Sequence, residues 1–205
     1  ICLHDEYSLN RINMKDAVVV DIGAHIGLFT LECLNRGARL VECYEPDPRN
    51  FPILESNYAG NEKVYVYNQP VWSTTTAMKV GDPKEPGHTF AMPNPNGNVL
   101  SISIADILDG VKFHFRKDGA ARILKLDCEG AEWPILFSAR SLDLVDNIVG
   151  EYHAGVISTM PEVGNLPGVE YSIENLRLLL NKAGFRTNIY PPNAADFNLF
   201  FAYRG

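Results

Sequence analysis

The amino-acid sequence predicts an α/β fold, a doubly wound and mostly parallel seven-stranded sheet whose last strand runs antiparallel. Three observations carry this. Short apolar runs alternate with stretches of helical length through short connections, which places helices on both faces of a parallel sheet. The first run, residues 17–22, is continuously apolar up to an acid, as in a strand buried on both faces. Near the C-terminus two apolar runs are joined through P-P-N-A-A-D with no helix between them, so the second returns antiparallel to the first.

In chain order, residues 17–22 read as a strand and 27–36 as the helix after it, stopped by Gly37. Residues 39–44 form the next strand, 48–58 a helix with proline in its first turn, and 63–69 a strand of V-Y-V-Y alternation. The stretch 71–100 breaks the rhythm with four prolines and three glycines between short β-like runs. A loop of that length is usually functional, and it is the first lid candidate. A short helix (103–108), a strand (122–127), a helix (131–140) and a strand (147–153) follow, then a second irregular stretch, 154–169. Residues 172–183 read as an amphipathic helix closed by Gly184, and 185–190 and 199–203 as the closing strands.

At 205 residues, 46% hydrophobic and 21% charged, the chain is expected to be one domain, 1–205, with a single large core. No apolar run approaches the roughly 20 residues of a membrane span, and the N-terminus does not read as a signal peptide. A net charge of −7 gives no broad positive footprint for a phosphate backbone, so nucleic acid is not the expected partner. Cys2, Cys33, Cys43 and Cys128 form no C-x-x-C pair, which argues against structural zinc and fits free thiols in the cytosol.

The most informative stretch is V-V-V-D-I-G-A-H-I-G-L-F-T, from Val18 to Thr30, with Glu45 following 18 residues after Gly27. A strand, a glycine turn and a helix start bring backbone close to a ligand. A dinucleotide fingerprint starting at Gly23 requires glycines at 25 and 28, where this chain has His25 and Leu28. What remains, D-x-G-x-x-x-G plus an acid ending the next strand, lacks the phosphate turn but keeps a ribose-binding carboxylate. It suits an adenosyl ligand.

These residues resemble the S-adenosylmethionine-dependent methyltransferases, and the form D-I-G-A-H-I-G-L-F-T is most similar to the FkbM-type family. That family's second signature, a strand running into D-x-E-G-A-E, is matched by I-L-K-L-D-C-E-G-A-E from Ile123 to Glu132. The resemblance spans roughly Asp16 to the C-terminus. It implies the Rossmann-like methyltransferase fold, S-adenosyl-L-methionine as cofactor, and O-methylation of a sugar hydroxyl or another small metabolite.

In open α/β sheets the ligand lies beyond the carboxyl ends of the strands, so the candidates follow the strands. Gly23 and Gly27 permit close approach of the cofactor, with Asp21, Ala24, His25 and Thr30 around the same turn. Glu45 can accept both ribose hydroxyls, with Pro46 beside it. Asn68, Val71 and Trp72 end the third strand, where the family places the adenine, although Trp72 serves equally as core. Asp127 and Glu129 are read as standing beside the cofactor's sulfonium or the acceptor, Asp127 belonging to the cofactor set as well; a Lys125–Asp127 ion pair is the structural alternative. His153, ending G-E-Y-H, is the candidate general base, oriented by Glu151, with a buried core histidine as its alternative. A divalent metal is possible but not favoured, because no ligand spacing supports it. His88, Phe90 and Met92 are candidates to line the acceptor site.

Two other readings stay open. A nicotinamide-dependent oxidoreductase would use a similar sheet, but the glycines and a Tyr-x-x-x-Lys pair are missing. A noncatalytic adenosyl-ligand binding protein would keep the fold without transfer.

Overall fold

A computed structural model describes residues 7–81, 91–111, 119–153, 170–190 and 197–205. The sheet strands are β1 (Val18–Ile22), β2 (Leu40–Tyr44), β3 (Val64–Tyr67), then, after an insertion, β9 (Arg122–Leu126), β10 (Asn147–His153), β11 (Arg186–Tyr190) and β12 (Phe197–Tyr203). They line up as β11-β12-β10-β9-β1-β2-β3, and only β12 runs antiparallel to its neighbours. The chain order reverses beside β1, which pairs with β2 on one side and β9 on the other. A crevice opens at such a reversal.

Successive side chains of a strand face opposite ways, and both faces here are apolar. Val20 and Ile22 of β1, with Leu124 and Leu126 of β9 and Ile148 of β10, pack against Ile104 and Leu108 of α3 (Ile104–Val111), Trp133 and Ile135 of α4 (Glu132–Ser138), and Leu176 and Leu180 of α5 (Ile173–Lys182). Val19, Ile123 and Val149 pack on the other face against Phe29 and Cys33 of α1 (Leu28–Asn35) and Leu54 of α2 (Phe51–Asn57). Tyr7, Leu9, Ile12 and Met14 join this second core, so the segment before β1 is part of the fold. Ser172 caps α5 by accepting from the Asn175 N–H.

The insertion is more regular than its proline and glycine content suggests. β4 (Val71–Trp72) pairs in parallel with β8 (Ile102–Ser103), and β5 (Ala77–Val80) pairs with β6 (Ala91–Pro93) and β7 (Val99–Leu100) in a small antiparallel sheet. Pro93 lies on an edge strand of that sheet, where its missing N–H costs no ladder bond. His88, Phe90 and the second irregular stretch, 154–169, lie outside the described residues. Among the described residues no helix is long and apolar enough to cross a membrane, and Cys33, Cys43 and Cys128 are free thiols.

Candidate active site

A cavity of about 290 Å³ opens at the carboxyl ends of β1, β2 and β9. Its floor is the turn after β1. Gly23 has φ +75°, and a Cβ there would lie 1.8 Å from the Asp127 carbonyl oxygen, so only glycine lets the two strand ends close together. Gly27 has φ +92°, and a Cβ there would run into the Tyr58 ring, whose hydroxyl donates to the Gly27 carbonyl. Asn57 Nδ2 donates to the Ile26 carbonyl at 2.9 Å, so α2 holds the turn from outside. His25, at φ +52°, takes a left-handed conformation that asparagine or glycine adopts more readily.

Glu45 closes the turn from the β2 side. Its Oε2 accepts the His25 N–H at 2.7 Å and its Oε1 the Asp47 N–H at 2.9 Å, and the residue is 5% exposed. Burial raises its pKa, and those two backbone bonds oppose the rise. Each oxygen keeps acceptor capacity for a further hydroxyl.

Of the sequence-predicted cofactor residues, Gly23, Ala24, His25, Glu45, Pro46, Val71 and Asp127 line the cavity. Asp21, Gly27, Thr30, Asn68 and Trp72 do not. β1 continues one residue past Asp21, and strand alternation turns the Asp21 carboxylate beneath the turn. There it accepts from Thr30 Oγ1 at 2.8 Å and pairs with Lys125 Nζ at 3.2 Å. Asn68 Nδ2 donates to the Glu45 carbonyl at 2.9 Å and fixes the end of β2, while Trp72 is core, packed with Val71 among the residues around α3. Gln69, Pro70, Leu28 and Ala91 of β6 complete the wall, so the insertion does reach the cavity.

The other side carries the charge. Asp127 and Glu129 line the cavity, Glu129 at φ +53°. Tyr7, which no motif marks, donates its hydroxyl to Asp127 Oδ2 at 2.8 Å, and Lys125 Nζ lies 3.7 Å from the same oxygen. His153 is 9% exposed and stands behind this pair, outside the lining. Its Nε2 is 3.5 Å from Glu129 Oε2 and 3.8 Å from Glu151 Oε1, and its Nδ1 is 3.2 Å from Glu132 Oε1. Glu132, not Glu151, therefore holds the ring. Burial alone would lower the His153 pKa, but the Glu132 bond and charge, with Glu129 and Glu151, overcome it and lift the value to about 9. Glu151 is itself raised, first by burial and then by the Asp127 charge. Although the sequence shows no metal-ligand spacing, the fold brings one donor atom each of Asp127, Glu151 and His153 within 4.8 Å of one another.

A sheet of this order with a glycine turn after β1 and an acid ending β2 defines the S-adenosylmethionine-dependent methyltransferase class. The methyltransferase FkbM domain matches residues 21–187, and the chain belongs to that family. No curated protein matches it. Among solved structures, a Listeria monocytogenes protein proposed to be an S-adenosylmethionine-dependent methyltransferase is similar over 100% of both chains, at 12% identity and TM-score 0.55. A Streptococcus pneumoniae protein proposed to methylate tRNA is similar over 100% of this chain and 71% of its own, at 12% identity and TM-score 0.53. The precorrin-6y C5,15-methyltransferase of Geobacter metallireducens is similar over 98% and 86%, at 12% identity and TM-score 0.50. At such identities the likeness is one of fold, across different acceptors.

Proposed function

We propose that this chain is a single-domain O-methyltransferase acting on a hydroxyl of a sugar or another small metabolite. The observation that carries this reading is the group formed by Asp127, Glu129, Glu151 and His153 against the cavity at the strand ends. When bound, S-adenosylmethionine supplies an electrophilic methyl carbon on a positively charged sulfur. The residues present fit it: Gly23 and Ala24 let backbone approach, Glu45 keeps acceptor capacity for the ribose hydroxyls, and Val71 with Pro46 offers an apolar wall for the adenine.

Asp127 and Glu129 give the cavity a negative wall that favours a cation and accepts hydrogen bonds from an acceptor hydroxyl. His153, behind the lining, receives the hydroxyl proton at Nε2 by way of Glu129, which lines the cavity with its Oε2 3.5 Å from that nitrogen. In the resting protein that nitrogen is protonated at neutral pH, because its pKa stands near 9. A positive ligand beside the same carboxylates offsets their pull and moves the imidazole toward its neutral, proton-accepting form. The acidic wall and the charge of −7 speak for a neutral acceptor over nucleic acid. Free cysteines fit a cytosolic setting. A metal is not favoured, since an imidazolium already occupies the centre of the acidic group.

The test is label transfer from S-adenosylmethionine with a radioactive methyl group into separate pools of sugars, glycans, small metabolites and RNA. Label in a hydroxyl-bearing small molecule, lost in His153→Ala with cofactor affinity retained, supports the reading. Label confined to RNA, or undiminished turnover in His153→Ala, overturns it.

A further inference from the structure

We propose that Glu132 is the positioning residue of this site, fixing the His153 ring so that Nδ1 carries the proton and Nε2 faces the carboxylates at the cavity. The inference rests on the reading of His153 as the base and adds the group that sets its geometry.

The argument begins with acceptor capacity. Glu132 is 1% exposed, at the start of α4. Its Oε1 accepts the Cys128 N–H at 2.6 Å and its Oε2 the Gly130 N–H at 2.8 Å, so the side chain ties down the loop that carries Glu129. A carboxylate already accepting two N–H bonds can only accept a third. The Nδ1 of His153, 3.2 Å from Oε1, is therefore the donor. That leaves Nε2 as the nitrogen that gains and loses the working proton. The backbone of His153 is held from the same helix, because Trp133 Nε1 donates to the His153 carbonyl at 3.1 Å. Glu132 and Trp133, neighbours in sequence, thus fix ring and main chain together.

One carboxylate performs two tasks here. It shapes the Cys128–Gly130 turn, which presents Glu129, and it orients the histidine that Glu129 faces. The charged groups around the imidazole come from three places. Glu132 belongs to α4, Asp127 and Glu129 to the segment after β9, and Glu151 to β10. Lys125 and Tyr7 stand against Asp127, 3.7 and 2.8 Å from its Oδ2. A buried acceptor on one ring nitrogen is the general device by which proteins choose a histidine tautomer.

The experiment is long-range proton–nitrogen NMR of the histidine rings, with the His153 signals assigned by their loss in His153→Gln. In the wild-type protein, above its titration midpoint, His153 should show the Nδ1–H tautomer. In Glu132→Gln the midpoint should fall by about one pH unit or more, as expected when a contacting negative charge is removed. Far-UV circular dichroism reports whether each variant folds, and Glu132→Asp should retain part of the shift. An Nε2–H tautomer in the wild-type protein overturns the proposal without any variant. An unchanged midpoint in folded Glu132→Gln does the same. None of these readouts requires methyl transfer. Failure of His153 as the base, seen as normal turnover in His153→Ala, is therefore distinguishable from failure of Glu132 as its positioner.

Discussion

Lys125 Nζ lies 3.2 Å from Asp21 Oδ1, and the two residues are direct cross-strand neighbours on β9 and β1, 3% and 0% exposed at their side chains. Lys125 also donates to the Gly23 carbonyl at 2.6 Å, so the pair fastens the glycine turn from beneath. Burial by itself would lower the lysine pKa, but Asp21 and Asp127 reverse this and the amine stays charged. Removing one member of a buried pair leaves its partner desolvated and uncompensated. Lys125→Met should therefore destabilise the protein by about 3–5 kcal/mol in urea unfolding. A loss below about 1 kcal/mol, the scale of an exposed pair, would show that the turn does not depend on this ion pair.

Much of this was legible in the sequence. The continuous apolar runs and the glycine turn gave the sheet, and the two acidic signatures gave the family, because both follow from local chemistry at strand ends. Asp21 opens the D-x-G-x-x-x-G signature and so counts among the cofactor candidates, but a signature does not say which face of the strand its side chain takes. On β1 it shares the face of Val19, which sends its carboxylate under the turn to Thr30 and Lys125. Tyr7 and Glu132 were not legible as partners of Asp127 and His153, because the bonds cross 120 and 21 residues of chain. No local pattern encodes a contact that only the sheet order creates.

Glu45 offers a direct test of the cofactor assignment. Its oxygens hold the His25 and Asp47 N–H groups, so Glu45→Ala removes both the proposed ribose acceptor and a tie across the turn. Calorimetry with S-adenosylmethionine should show affinity weakened by about 1.5–3 kcal/mol, the value of a charge-assisted hydrogen bond. Unchanged affinity would remove Glu45 from the ribose.

The titration of His153 gives stability a defined pH dependence. Folding raises its pKa from 6.5 to about 9, so the folded protein keeps a proton that the unfolded chain releases. The stabilisation is fully present below pH 6.5 and is lost as pH rises through about 9, a change of roughly 3 kcal/mol for a shift of this size. Unfolding free energies measured across that window should fall with rising pH in the wild-type protein and flatten in His153→Gln. An equal slope in both would show that another group controls it.

Chelation tests the remaining reading of the acidic group. Asp127, Glu151 and His153 are close enough for one cation to span them, and the imidazolium itself supplies positive charge at that point. A second cation would have to displace the ring proton and overcome its bond network through Glu132. Label transfer should therefore survive extensive dialysis against EDTA, and added manganese or magnesium should not raise it. Activity lost on chelation and restored by manganese alone would instead make the three side chains ligands. The acceptor hydroxyl would then lose its proton with help from the ion, and His153 would no longer be the base.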